Sequence, residues 1–276
     1  MDRVAERAEK VREGWDADAV HDLRVALRRS RTIAEASSEV NPAPGWRKLK
    51  RSTRELFHDL GELRDTQIQH ALVKKLAPAS DPVRSQMVAE LSRTEKKLRR
   101  SAEKALDSFD RKDWKKLTKK LATKAKFFPL NSVVYQRLAL SRLEAAAKLL
   151  QEARRRRSAT AWHRLRIGIK SFRYLVENFL PQRYDAWEDD LKEMQDLLGD
   201  VHDLDVLRQQ VRRTFLKTKP ELAAQWTEKI ERERKAHLRK FLSKSSGPQS
   251  PWLAWRAAFQ WGHTLVARPE PQRRTA

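Results

Sequence analysis

Apolar residues recur at helical spacing along nearly the whole chain, so its elements are helices or it has none. Leu49, Leu56, Leu60 and Leu63 share one side of such a helix, and the 276 residues include only 7 glycines, too few for a strand-and-turn architecture. The spacing predicts helices over about 18–39, 46–76, 81–106 and 112–127. The first of these is ended by Asn41-Pro42-Ala43-Pro44-Gly45. Asp81-Pro82 reads as a helix start, with Asp as N-cap and Pro in the first turn. Pro129 and Asn131 punctuate the chain and mark the expected boundary between halves. Beyond them, helices are expected over about 133–155, 160–180, 185–216, 221–242 and 252–267. A Ser-, Gly- and Pro-rich loop at 243–251 precedes the last helix, and 268–276 reads as a polar tail. The fold class is all-α.

One pattern occurs twice on these helices. His21, Arg24, Arg28 and Arg31 follow the spacing His-x-x-Arg-x-x-x-basic-x-x-Arg, and His163, Arg166, Lys170 and Arg173 repeat it. On a helix each set falls within an arc of roughly 80°. Four cationic or protonatable groups on so narrow a stripe repel one another, and a chain that carries two such stripes calls for an anion to neutralise them. Leu23, Leu27 and Ile33 flank the first stripe, whereas Arg29 and Arg164 lie off the stripes and read as surface. Ala26 and Gly168 stand at the same motif position, where a small residue permits close helix contact.

The repeat extends further. Leu60-Gly61-Glu62-Leu63-Arg64-Asp65 aligns with Leu198-Gly199-Asp200-Val201-His202-Asp203, each in the long helix after its stripe. Asp65 and Asp203 read as carboxylates that orient the cations through charge-assisted bonds, with Arg64 and His202 as further contacts. On the face opposite the leucines, Arg47, Arg51, Arg54, His58 and Asp65 correspond to Asp185, Asp189, Lys192, Asp196 and Asp203. Only Arg54 and Lys192 are basic in both, so these two are secondary candidates.

Charge restricts the partners. Lys and Arg total 60 against 37 Asp and Glu, a formal +23, which favours polyanions. With no cysteine, disulfides and thiolate metal sites are excluded. Neither an apolar signal core nor a run of membrane-spanning length occurs, and the expectation is a soluble, cytoplasmic protein without a membrane partner. Arg154-Arg155-Arg156-Arg157 suits a helix C-terminus, and the nine Trp fall mostly at core spacings.

The paired stripes, each followed by Leu-Gly-x-x-x-Asp, resemble the CHAD domain, a family named for its histidines and helical content. The resemblance spans essentially the whole chain. It implies one domain over 1–267, built of two pseudo-symmetric helical-bundle repeats (about 1–129 and 130–267) with a basic central channel. It further implies binding of inorganic polyphosphate and association with polyphosphate granules. The channel lining would be His21, Arg24, Arg28, Arg31, His163, Arg166, Lys170 and Arg173. A flexible polymer with about one charge per phosphate needs rows of donors and no stacking platforms. Arg supplies a planar fork to phosphate oxygens and Lys a point charge.

Two other readings compete. His21-Asp22, His58-Asp59 and His202-Asp203 invite comparison with metal-dependent phosphohydrolases, and His202-Asp203-x-Asp205 is the best such cluster. Neighbouring cations repel a divalent metal, and no phosphate-binding loop or His-Glu-x-x-His occurs, so neither catalysis nor a metal or other cofactor is expected. A nucleic-acid binder would hold duplex DNA only nonspecifically.

Overall fold

The structure, a computed structural model, describes residues 3–260. Among them are eleven helices and no strand: α1 (Arg3–Glu13), α2 (Ala17–Val40), α3 (Pro44–Ser52), α4 (Arg54–Leu76), α5 (Pro82–Asp107), α6 (Arg111–Ala125), α7 (Val133–Arg156), α8 (Ala159–Phe179), α9 (Pro181–Phe215), α10 (Pro220–Lys244) and α11 (Pro251–Gln260). The chain is all-α, as its periodicity requires. The expected Asp81 cap is present: its Oδ1 accepts from the backbone N–H groups of Val83 and Arg84, both at 2.9 Å.

Three elements depart from the sequence expectation. Residues 46–76 do not form one helix, because the chain breaks at Thr53 (φ −112°, ψ 7°). Thr53 is fully buried, and its hydroxyl donates to the Leu49 carbonyl at 3.2 Å. The Arg31 guanidinium donates to the Lys50 carbonyl at 2.6 Å. Side chains thus satisfy carbonyls of the last turn of α3 that a continuing helix would have used. Secondly, α1 forms over residues the periodicity left unassigned, burying Val4, Ala5, Ala8 and Val11. Finally, α9 starts at Pro181, four residues before the expected 185. The expected helix at 252–267 is seen as α11 to Gln260; its remainder and the tail at 268–276 lie outside the described residues.

Two compact units can be described separately: Met1–Pro129 with Gly199–His237, and Leu130–Leu198 with Leu238–Ala276. In the first, one apolar cluster joins α1 to α6 around Leu23, Leu27, Trp46, Leu49, Leu60, Leu106 and Trp114. A second joins Val73, Met87 and Leu91 of α4 and α5 to Leu204, Leu207, Phe215, Trp226 and Ile230 of α9 and α10. The buried Asp205 carboxylate there receives Arg234 Nε at 2.8 Å and Arg208 Nη2 at 3.1 Å. In the second unit, α7 and α8 pack together, and Phe172, Trp187, Trp252, Trp255 and Phe259 form an aromatic cluster. Trp46, Trp114, Trp226 and Trp255 are each about 1% exposed, so these tryptophans are core rather than stacking platforms.

Candidate anion-binding rows on α2 and α8

The first row rides on a helix whose start and buried face are both well determined. Asp16 caps α2, accepting from Asp18 N at 2.9 Å and Ala19 N at 2.8 Å. Val20, Leu23, Leu27, Ser30 and Ala34 are buried at helical spacing, which fixes the rotation of α2 about its axis. Arg24, Arg28 and Arg31 are consequently half-buried beside that face, and His21 is at its exposed margin.

α4 lies against this row. Arg24 Nη1 donates to Asp65 Oδ1 at 3.1 Å. The same guanidinium lies 3.7–3.9 Å from the point a Cβ on Gly61 would occupy, so it rests flat over that glycine. Arg64 of α4 acts with Arg28 and Arg24 on His21. His21 is exposed by surface area, yet the packed helices withhold enough water to desolvate its ring. That desolvation first, and then repulsion by Arg64 and Arg28, holds the imidazole below its ordinary value of 6.5.

Arg31 has a different task. Besides the Lys50 carbonyl, its Nη1 reaches Thr53 Oγ1 at 3.3 Å, and its guanidinium carbon lies 4.9 Å from the centre of the Phe57 ring. It pins the α3–α4 break. Burial lowers its pKa, and the exposed Arg54 adds to that lowering.

The second row repeats the start of the first. Ser158 caps α8 by accepting from Ala161 N at 3.2 Å, and His163 is the fifth residue of α8 as His21 is of α2. Trp162, Leu165, Ile169, Phe172 and Val176 are buried, leaving His163, Arg166, Lys170 and Arg173 half-buried. A Cβ on Gly168 would stand 2.9 Å from Leu149 Cδ1 and 3.4 Å from Ala146 Cβ, so the missing side chain does permit close approach of α7. Desolvation, then the charges of Arg166 and Lys170, lower the His163 pKa. Among the described residues, the buried Nε atoms of Arg166 and Arg173 find no acceptor. Arg173 does act on the Tyr184 hydroxyl, opposing the rise that burial gives its pKa.

The remaining candidates are placed as follows. Lys192 is exposed on α9, and no hydrogen bond or ion pair among the described residues ties it to the row. His202 and Asp203 are half-buried in the stretch of α9 that belongs to the first unit, where the Asp203 carbonyl accepts from Gln69 Nε2 at 3.0 Å. Asp205 is held between Arg234 and Arg208, so its carboxylate is committed to guanidinium groups rather than open to a metal. Arg29 is exposed, and Arg164 pairs with Glu152 at 2.9 Å. Arg154, Arg155 and Arg156 occupy the last turn of α7. Two neighbours were not foreseen. Tyr184 reaches Arg173, and Arg142 of α7 donates to Ser171, between Lys170 and Phe172. Neither belongs to the repeated motif, so no pattern in the sequence marks them.

The chain is thus all-helical among the described residues, with two capped helices that each carry a histidine followed by half-buried basic residues. The family profile described as "CHAD domain" matches residues 1–212, and this chain belongs to the CHAD domain family. Its fold is similar to the crystal structure of the CHAD domain from the plant Ricinus communis, with a TM-score of 0.58 and 22% identity. That similarity covers 96% of this chain and 87% of the plant chain. No curated protein matches the sequence. None of the described helices is long and apolar enough to cross a membrane.

Proposed function

We propose that this protein binds inorganic polyphosphate through the rows on α2 and α8, without catalysis, and is thereby held at polyphosphate granules in the cytoplasm. The observation that carries the reading is the state of the α8 row. Arg166 and Arg173 are half-buried and each keeps a buried Nε donor with no acceptor among the described residues. Half-burial keeps these guanidinium groups in place, and a hydrogen bond from an outer nitrogen to a charged phosphate oxygen is worth roughly 1.5–3 kcal/mol. Arg24 supports the same reading from α2, since Asp65 occupies one nitrogen and orients the planar group. The two imidazoles, neutral at the margin of each row, gain a proton more readily once a phosphate is near.

Binding to long-chain polyphosphate, with duplex DNA as competitor, tests this on the wild type and an Arg24→Ala, Arg166→Ala double variant. Salt-sensitive binding that DNA displaces poorly and the variant loses is the expected result. Equal displacement by DNA, or an unaffected variant, would assign binding to the basic surface as a whole.

A further inference from the structure

A second cationic surface lies away from both rows, on α6. Its fifteen residues, RKDWKKLTKKLATKA, include seven basic side chains and one acid, Asp113. Trp114, Leu117, Thr118 and Leu121 are buried, which turns Lys112, Lys115, Lys116, Lys119 and Lys120 outward, all exposed. The pairs Lys112–Lys116, Lys115–Lys119 and Lys116–Lys120 stand four residues apart, a spacing at which like charges destabilise a helix. Three exposed cations on other helices are matched at that spacing: Arg99 by Glu103, Arg156 by Glu152 and Arg232 by Glu228. Among the described residues, none of the five α6 lysines has a carboxylate partner. The only acid on the helix is taken by Lys48 of α3, at 3.0 Å.

A path of cations leads to this surface from the α2 row. Arg31, the last member of that row, bonds to the Lys50 carbonyl at the end of α3. α3 packs against both α2 and α6. Gly45 at the start of α3 brings α6 close: a Cβ there would stand 2.9 Å from Leu121 Cδ2. Arg47 and Arg51 of α3 are exposed, as is Arg54 just beyond the break. Exposed cations therefore stand on α3, the helix in contact with both α2 and α6, within one unit.

We infer that the α6 lysines form an auxiliary strip for the same polyanion, engaged only by chains long enough to run past Arg31 and across α3. This rests on the polyphosphate reading above and adds chain-length discrimination to it. Chemistry separates the two surfaces. Half-buried arginines on the α2 row offer directed forks, whereas the exposed lysines of α6 offer mobile point charges that hold a polymer without fixing its register.

The test compares short-chain and long-chain polyphosphate on wild type and on a Lys115→Gln, Lys116→Gln, Lys119→Gln, Lys120→Gln variant. Long-chain affinity should fall by about tenfold and its salt slope should flatten, while short-chain affinity stays within about twofold. Replacing the same four lysines by arginine should restore long-chain binding, which separates lost charge from lost fold. Unchanged long-chain affinity in the glutamine variant, or equal losses for both lengths, would overturn the strip and leave the rows untouched. Wild type that binds neither length would bring down the polyphosphate reading itself, and the strip with it.

Discussion

On α2, Arg24 rests against a carboxylate and Arg31 is committed to the α3–α4 break, whereas on α8 the residues at the same motif positions are less engaged. Arg166 has no carboxylate partner among the described residues, and Arg173 is placed by the Tyr184 hydroxyl and by the Tyr174 ring, 5.9 Å away. The two helices begin alike, with a side-chain cap and a histidine at the fifth residue. They then differ in how much of each row the fold itself consumes. Arg31 is structural cement on α2, whereas Arg166 on α8 is held by no carboxylate among the described residues. A repeated motif thus marks where cations stand, but the elements packed around it decide what they are for.

The largest expected effect follows directly. Arg166→Ala should weaken polyphosphate binding by about 1.5–3 kcal/mol, the range of a hydrogen bond to a charged group, and Arg24→Ala should weaken it by less. Titration calorimetry on the two single variants measures the difference, and equal losses would break the comparison. Next is the helix contact behind the α8 row. Gly168→Val must displace Leu149 and press on the Ala146 backbone at 3.5 Å, so it should cost about 1–3 kcal/mol of stability by overpacking. Thermal unfolding reads that loss.

Arg31→Ala should destabilise the apo-protein by about 1–2 kcal/mol, because the Lys50 carbonyl and Thr53 lose a donor. Arg173→Ala should leave stability nearly unchanged while reducing affinity. Denaturant midpoints and binding isotherms on this pair would reverse the assignment if Arg173 proved the more structural of the two.

The smallest effect is in pH. His21 and His163 both sit below 6.5 in the folded state, so the unfolded chain binds more protons as pH falls through that value. Apo stability should therefore decrease from neutrality downward, with the loss complete only below the folded-state pKa values. Partial exposure of these rings keeps the effect modest. A His21→Gln, His163→Gln variant should show a flatter melting-temperature profile; a slope from His70, lowered by burial and by Lys74, would remain. Ligand affinity should run the other way, tighter at about pH 6 than at about pH 8, since bound phosphate favours the imidazolium. Parallel pH trends for stability and affinity would refute the histidines' role at the row margins.

Much of this was legible before any coordinates. Helix existence followed from long apolar periodicity, and the Asp81 cap followed from Asp-Pro chemistry. The break at Thr53 was hidden because Leu49 and Leu56, seven residues apart, keep the same helical phase across it. α1 was missed because its buried face is alanine and valine, whose pattern is faint among charged neighbours. Among the site residues, spacing alone placed each row on one face of a helix. It could not show that Arg31 would turn toward α3, or that Asp205 would meet Arg234, 29 residues away, instead of standing free beside His202. Such pairings depend on tertiary neighbours that no local pattern encodes.

The apolar face that Val73, Met87 and Leu91 present is covered, among the described residues, by a cluster drawn from Leu204 to Ile230. Trp226 Nε1 likewise donates to Asp81, 145 positions earlier in the chain. During synthesis the α4–α5 hairpin therefore leaves the ribosome long before its cover exists, with α7 and α8 made in between. At about 5–20 residues per second the wait is on the order of ten seconds, long enough for chaperone capture or for aggregation of truncated products. A nascent chain halted near Pro129 would carry the α2 row and its own apolar cluster with this second face still bare, so one part of an early-made unit waits on residues made much later.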